Sequence, residues 1–168
     1  GFNLNTSYVA TRAIRQTAIV NLNYSLPGAG TGLGRVLGQK WQRTDDVNIY
    51  TPFNSSNYNG WQNQLRRQFK GGGMLGVTYT WSKAIDDASG IRSSGGEQSI
   101  AKWDWDLRDE RGLSQFHTAH RVVASAIYEI PFFATAPRFA RGALGGWQVS
   151  SIVTAATGNP VRIGVIGD

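Results

Sequence analysis

The sequence predicts an all-β chain: a segment of an antiparallel up-and-down transmembrane β-barrel, about five strands and hence an incomplete barrel, with long polar loops. Three observations carry this. Side chains alternate with period two from Tyr58 to Ser82. The alternation lasts about twice as long as the 5 to 6 residues of an ordinary strand. Long and short connections alternate along the chain, as they do where every second loop of a meander lies at the same end.

The first strand, about 2–12, sets Phe2, Leu4, Thr6, Tyr8 and Ala10 against Asn3, Asn5, Ser7 and Thr11. Order then fades. Pro27, Pro52, many amides and the glycines from Gly28 to Gly38 make 14–56 a long loop, with at most a short strand at Val47–Tyr50. Within it, Gly28 to Gly34 lacks the lysine-serine ending, the buried strand before and the helix after that a phosphate-binding loop requires, so it reads as a flexible loop.

The strands 58–69 and 74–83 form the clearest pair, joined by Lys70-Gly71-Gly72-Gly73. Trp61, Leu65, Phe69, Leu75, Val77, Tyr79 and Trp81 project to one side, and Gln62, Gln64, Arg66, Gln68, Thr78 and Thr80 to the other. Trp61 and Phe69 stand roughly 20 Å apart along a membrane normal, at ~3.3 Å per residue and a tilt near ~40°. Two polar residues interrupt the oily row. Arg67 lies close enough to the turn for its stem to snorkel, whereas Asn63, between Trp61 and Leu65, has no such exit.

A second long loop, 84–118, is rich in Gly, Ser, Asp and Arg, with a helical turn around Ile100–Trp103. Two further strands follow at about 120–132 and 147–157. The first sets Val122, Ala124, Ala126, Tyr128 and Ile130 against Arg121, Ser125 and Glu129. The second sets Trp147, Val149, Val153 and Ala155 against Gln148, Ser150 and Thr154. Ile127 and Ile152 are large apolar residues on the wetter side. The short connections at Lys70–Gly73 and Phe133–Gly146 belong on the periplasmic side. The whole of 1–168 reads as one partial barrel domain.

Bulk composition is compatible with this reading without demanding it. The chain is 40% hydrophobic, carries 21 glycines and is 17% charged, with a negative mean hydropathy. No apolar run approaches the roughly 18 residues of a membrane helix, a test to which barrel strands are blind. The absence of cysteine rules out disulfides and thiolate metal sites. The net charge of +6 is spread from Arg12 to Arg162 with no basic block, which argues against nucleic acid as a partner.

Candidate sites are few. Trp103, Asp104, Trp105 and Asp106 offer two rings and two carboxylates to a sugar or peptide at an extracellular mouth, or pack their own loop. Arg66, on the wet side, either guides an anionic substrate or fills a polar lumen. Asp104, Asp106, Asp109 and Glu110 lack the glycine and terminal glutamate of a calcium loop. His117 and His120, three apart on a strand, would point to opposite faces. No nucleophile elbow or acid-paired histidine appears, so neither a catalytic residue nor a cofactor is expected.

Several runs resemble one receptor group: Ser56-Asn57-Tyr58-Asn59, Tyr79-Thr80-Trp81-Ser82-Lys83-Ala84-Ile85-Asp86-Asp87, Leu107-Arg108, Glu110-Arg111-Gly112, Phe116, His120-Arg121, Tyr128, Pro131-Phe132 and Gly145-Gly146-Trp147-Gln148. The group is the Oar-like TonB-dependent receptors of the Gram-negative outer membrane, whose barrels have about 22 strands. The sequence departs from it at His117, usually aspartate there, and at the aromatic Trp103–Asp106 run. The resemblance implies outer-membrane lipid as surroundings, an extracellular ligand, a plug domain of the same full-length protein and an energy-coupling complex. It makes the chain an internal slice of the barrel wall, serving transport and not catalysis. The alternative that periodicity leaves open is a secreted or periplasmic β-sandwich binding carbohydrate through the Trp-rich loop.

Overall fold

A computed structural model describes residues 1–25, 28–29, 32–90, 107–130, 137–139, 142 and 145–161. Its elements are β1 (Phe2–Asn21), a helix α1 (Val36–Trp41), β2 (Asn48–Gln68), β3 (Gly73–Asp86), a two-residue β4 (Gly112–Leu113), β5 (His120–Glu129) and β6 (Gln148–Ala156). These six strands form one antiparallel sheet in the order β1-β2-β3-β5-β6, with β4 paired to the end of β3. Spatial order follows chain order, the signature of an up-and-down meander. A sandwich needs a second sheet to cover its apolar face, and the described strands build only one, so the β-sandwich alternative is set aside.

The strands are longer than the periodicity indicated at both polar ends. β1 continues to Asn21 and β2 begins at Asn48, so much of the expected loop 14–56 is strand. The physical reason in β1 is Arg15, whose φ of 57° is left-handed. Burial sets in beyond it. Even-numbered Ile14 is 63% exposed, whereas even-numbered Ala18 and Val20 are buried. A left-handed residue in a strand is the mark of a bulge, and a bulge exchanges the two faces beyond it. In β2, Pro52 lies beyond the point where Asn54 pairs with Ala88, so its missing N–H interrupts no bond to β3.

The chain divides into two compact units, with the division falling inside β1, β2 and β3. Unit 1 comprises Gly1–Val9, Gly60–Ser82 and Ala119–Thr157. Its register sorts the faces. Leu75, Val77, Tyr79 and Trp81 stand opposite Ala126, Ala124, Val122 and His120. Val122, Ala124 and Tyr128 in turn stand opposite Ala155, Val153 and Val149. A slip of one residue would put every one of these side chains on the wrong face.

Aromatic rings mark both ends of this oily face. Phe2, Phe69, Tyr128 and Trp147 lie toward the Gly71–Gly73 turn, with Ile130 N–H donating to Trp147 O, and Tyr8, Trp61, Tyr79 and Trp81 lie at the other end. Ile127 and Ile152 do occupy the opposite face, beside Met74 and Gly76 respectively in the cross-strand rows. The turn itself needs glycine. Gly72 and Gly73 have φ of 78° and 122°, and a Cβ on Gly73 would meet Ile127 O at 2.8 Å.

Unit 2 comprises Ala10–Asn59, Lys83–Thr118 and Gly158–Asp168. The end of the stretch expected as a flexible glycine loop has regular structure. Gly32–Gly34 form a 3-10 turn and α1 follows directly, with Gly38 packed so closely that a Cβ would stand 2.6 Å from Gly32 O. Six residues are too few to show a helical period, which is why the sequence reads as loop. Asn23 holds this excursion together. Fully buried, it donates to Arg43 O (2.9 Å) and Asp45 O (2.7 Å) and accepts from Leu37 N–H (2.9 Å), satisfying a first-turn helical donor that has no partner inside the helix. Asn21 adds bonds to Asn23 N–H, Val47 N–H and Asp46, and Asp46 pairs with Arg35.

Among the described residues the only buried apolar side chains are Ala18, Val20 and Ala88, while Leu4, Tyr8, Trp81 and Val153 are each more than half exposed. No helix among the described residues is long and apolar enough to cross a membrane. Apolar surface here faces outward from a single sheet instead of inward to a core.

Candidate functional site

Unit 2 gathers polar side chains where β3 ends. Asp87 Oδ2 accepts from both the backbone N–H (2.9 Å) and the hydroxyl (2.6 Å) of Ser55. Asp87 Oδ1 accepts from Arg111 (2.9 Å), which also donates to Ser55 Oγ (3.0 Å). Charge-assisted bonds of this kind are the stronger sort, and Asp87 is mostly withdrawn from water while Arg111 is not. Next to it, buried Asn54 makes a two-way bond with the Ala88 backbone (2.8 and 3.0 Å), acting as one more rung of the ladder. Asp86 accepts from Ser89 (3.0 Å), whose oxygen accepts from Gln115 N–H (2.9 Å).

A cavity of about 1210 Å³ opens beside this network, lined among others by Arg15, Asn57, Tyr58, Asp86, Ser114 and Phe116. Hydroxyl and amide side chains share its walls with the apolar Ala84, Ile85, Ala88 and Phe116. Asn57 Oδ1 is buried with no hydrogen-bond partner among the described residues. The polar part of this lining is suited to hydrogen-bonding a solute.

The two histidines serve separate neighbours. His117 Nδ1 accepts from Ala84 N–H (3.2 Å), a role that aspartate, the residue usual in the resembling receptors, performs equally well with a carboxylate oxygen. In unit 1, His120 Nδ1 lies 2.8 Å from Tyr79 Oη, the rings stacked at 6.1 Å. Asp109 and Glu110 belong to the short 3-10 turn Leu107–Glu110. Among the described residues no three His, Asp or Glu side chains lie close enough together to hold a metal ion.

A scan against family models matches residues 1–167 to the outer membrane β-barrel domain. The chain belongs to this outer membrane β-barrel domain family. It is therefore a component of the Gram-negative outer membrane, with its oily face against lipid. No match was found among curated proteins or among solved structures.

Of the residues singled out in the sequence, Arg66 lies on β2 in unit 1, exposed. Trp103, Asp104, Trp105 and Asp106 lie outside the described residues, as does the expected helical turn at Ile100–Trp103. The lone Asn63 finds its explanation across the sheet. Trp61 Nε1–H donates to Thr6 Oγ1 (2.8 Å), and the Thr6 hydroxyl donates to Asn63 Oδ1 (2.9 Å). This relay places Phe2, Leu4, Thr6 and Tyr8 on the lipid side with Trp61. The signal was Thr6, the one polar residue in the apolar row of β1, but nothing in the sequence gives the register that joins it to Asn63. Asn54, Ser55 and Asn23 were missed because the partners of each lie far away in the chain.

Proposed function

We propose that this chain is part of the barrel wall of a TonB-dependent outer-membrane receptor, serving energised uptake or binding of an extracellular ligand and carrying no catalysis. One observation supports this above the rest. Residues from four separated runs of the Oar-like resemblance, namely Ser56-Asn57-Tyr58, Ala84-Ile85-Asp86, Arg111 and Phe116, meet at one cavity and the ion pair beside it. A polar solute fits the hydroxyls and amides of that cavity, and Trp103, Asp104, Trp105 and Asp106 in the following loop would supply rings and acids, with Arg66 in the lumenal row.

In this reading the full-length protein carries a plug, released through an inner-membrane energy-coupling complex. The test needs no ligand. Full-length protein in detergent is mixed with the purified periplasmic domain of the coupling protein, and retention is expected on a column bearing that domain. Failure to bind, together with unaided solute flux through the protein in liposomes, would identify a passive pore and overturn the proposal.

A further inference from the structure

Arg67 is the one charged residue in the lipid-facing rows of unit 1. Its guanidinium carbon lies over the ring of Phe2 at 4.6 Å and over that of Phe69 at 4.7 Å. It has no hydrogen bond and no ion pair among the described residues. Both strands flanking β2 are in place in the sheet, so its in-sheet neighbours are those seen. None can supply a carboxylate. Unit 1 contains six of the chain's cations but one acid, Glu129, and Glu129 stands in the other row of β5, its carboxylate against Gly72.

A ring face offsets part of the charge but is no conventional hydrogen-bond acceptor, so the guanidinium N–H donors stay open. A cation in that state beside hydrocarbon is unfavourable unless an anion meets it. Arg67 lies at the aromatic girdle of the short-turn end, with Lys70 three residues on in the turn. Short turns of outer-membrane barrels are periplasmic, so the leaflet at this depth is phospholipid. Phosphate is the anion present there, and its oxygens match the planar fork of arginine.

We propose that Arg67, framed by Phe2 and Phe69, is a binding site for the phosphate of a periplasmic-leaflet phospholipid. The rings fix the guanidinium so that its donors face the headgroup layer, and they pack beside the lipid's upper acyl carbons.

Full-length protein is exchanged into phosphatidylethanolamine–phosphatidylglycerol nanodiscs, extracted gently and weighed by native mass spectrometry. Wild type is expected to retain a phospholipid whose occupancy falls about tenfold in Arg67→Gln, while diacylglycerol, which lacks phosphate, is not retained. Equal occupancy in Arg67→Gln, or equal retention of diacylglycerol, would overturn the site. Displacement by millimolar inorganic phosphate would assign it to a soluble anion and overturn the lipid. Wild type alone gives a second reading, free of any folding defect. Phosphatidylglycerol bearing a photoreactive group beside its phosphate should label peptides containing Phe2 or Phe69, and labelling confined to other peptides would refute the proposal.

Discussion

Unit 1 and unit 2 are held by different chemistry although three strands run through both. In unit 1 each cross-strand row repeats the sorting of the one before it, and the side-chain bonds, from Trp61 through Thr6 to Asn63 and between Tyr79 and His120, join residues within the oily face. In unit 2 side chains reinforce the strands where they end: Asn54 pairs with the Ala88 backbone, Asp87 with the Ser55 backbone and His117 with Ala84. The difference follows the surroundings. Hydrocarbon tolerates no open backbone group, whereas water and a polar lining allow irregular chain to be stitched by amides and carboxylates.

The largest effect expected from this contrast is face-specific. Val77→Arg, near the middle of the oily face, should destabilise the full-length protein by about 2 to 4 kcal/mol, while Thr78→Arg on the opposite face should change it by less than about 0.5 kcal/mol. Urea unfolding in lipid vesicles measures both, and equal losses would abolish the sorting of faces. For unit 2, Asn23→Leu should remove about 1 to 3 kcal/mol by orphaning Arg43 O, Asp45 O and Leu37 N–H. Amide hydrogen exchange should show the loss confined to 22–47, and a loss spread evenly through the strands of unit 1 would contradict the division.

The smallest effect sharpens the contrast within the lipid face. Thr6→Val or Asn63→Leu alone should cost about 1 kcal/mol, because each leaves a polar partner unpaired in hydrocarbon. The double substitution should cost less than the sum of the two, since it removes the Thr6–Asn63 pair together. Strict additivity in that cycle would mean the relay from Trp61 to Asn63 carries no coupling.

Legibility in the sequence follows the same line. The rows of β2, β3, β5 and β6 in unit 1 could be read because period two is local and lipid enforces it on every residue. Ile127 and Ile152 were recognisable as exceptions for the same reason. The continuation of β1 past Arg15 was hidden by the left-handed angle there, and the start of β2 by Pro52 and its amides. The helix at Val36–Trp41 and the Asn23 hub depend on partners about 14 to 22 residues away, a distance over which no periodicity operates. The cavity was invisible for the same cause: Asn57, Asp86 and Phe116 were each noticed, but only folding brings them to one wall.

Arg15 has one further consequence. Its left-handed angle makes β1 the strand to walk with a probe residue by residue: an odd-even pattern that inverts after position 15 marks a bulge there, and one that runs on unchanged marks a strand that absorbs the angle without one.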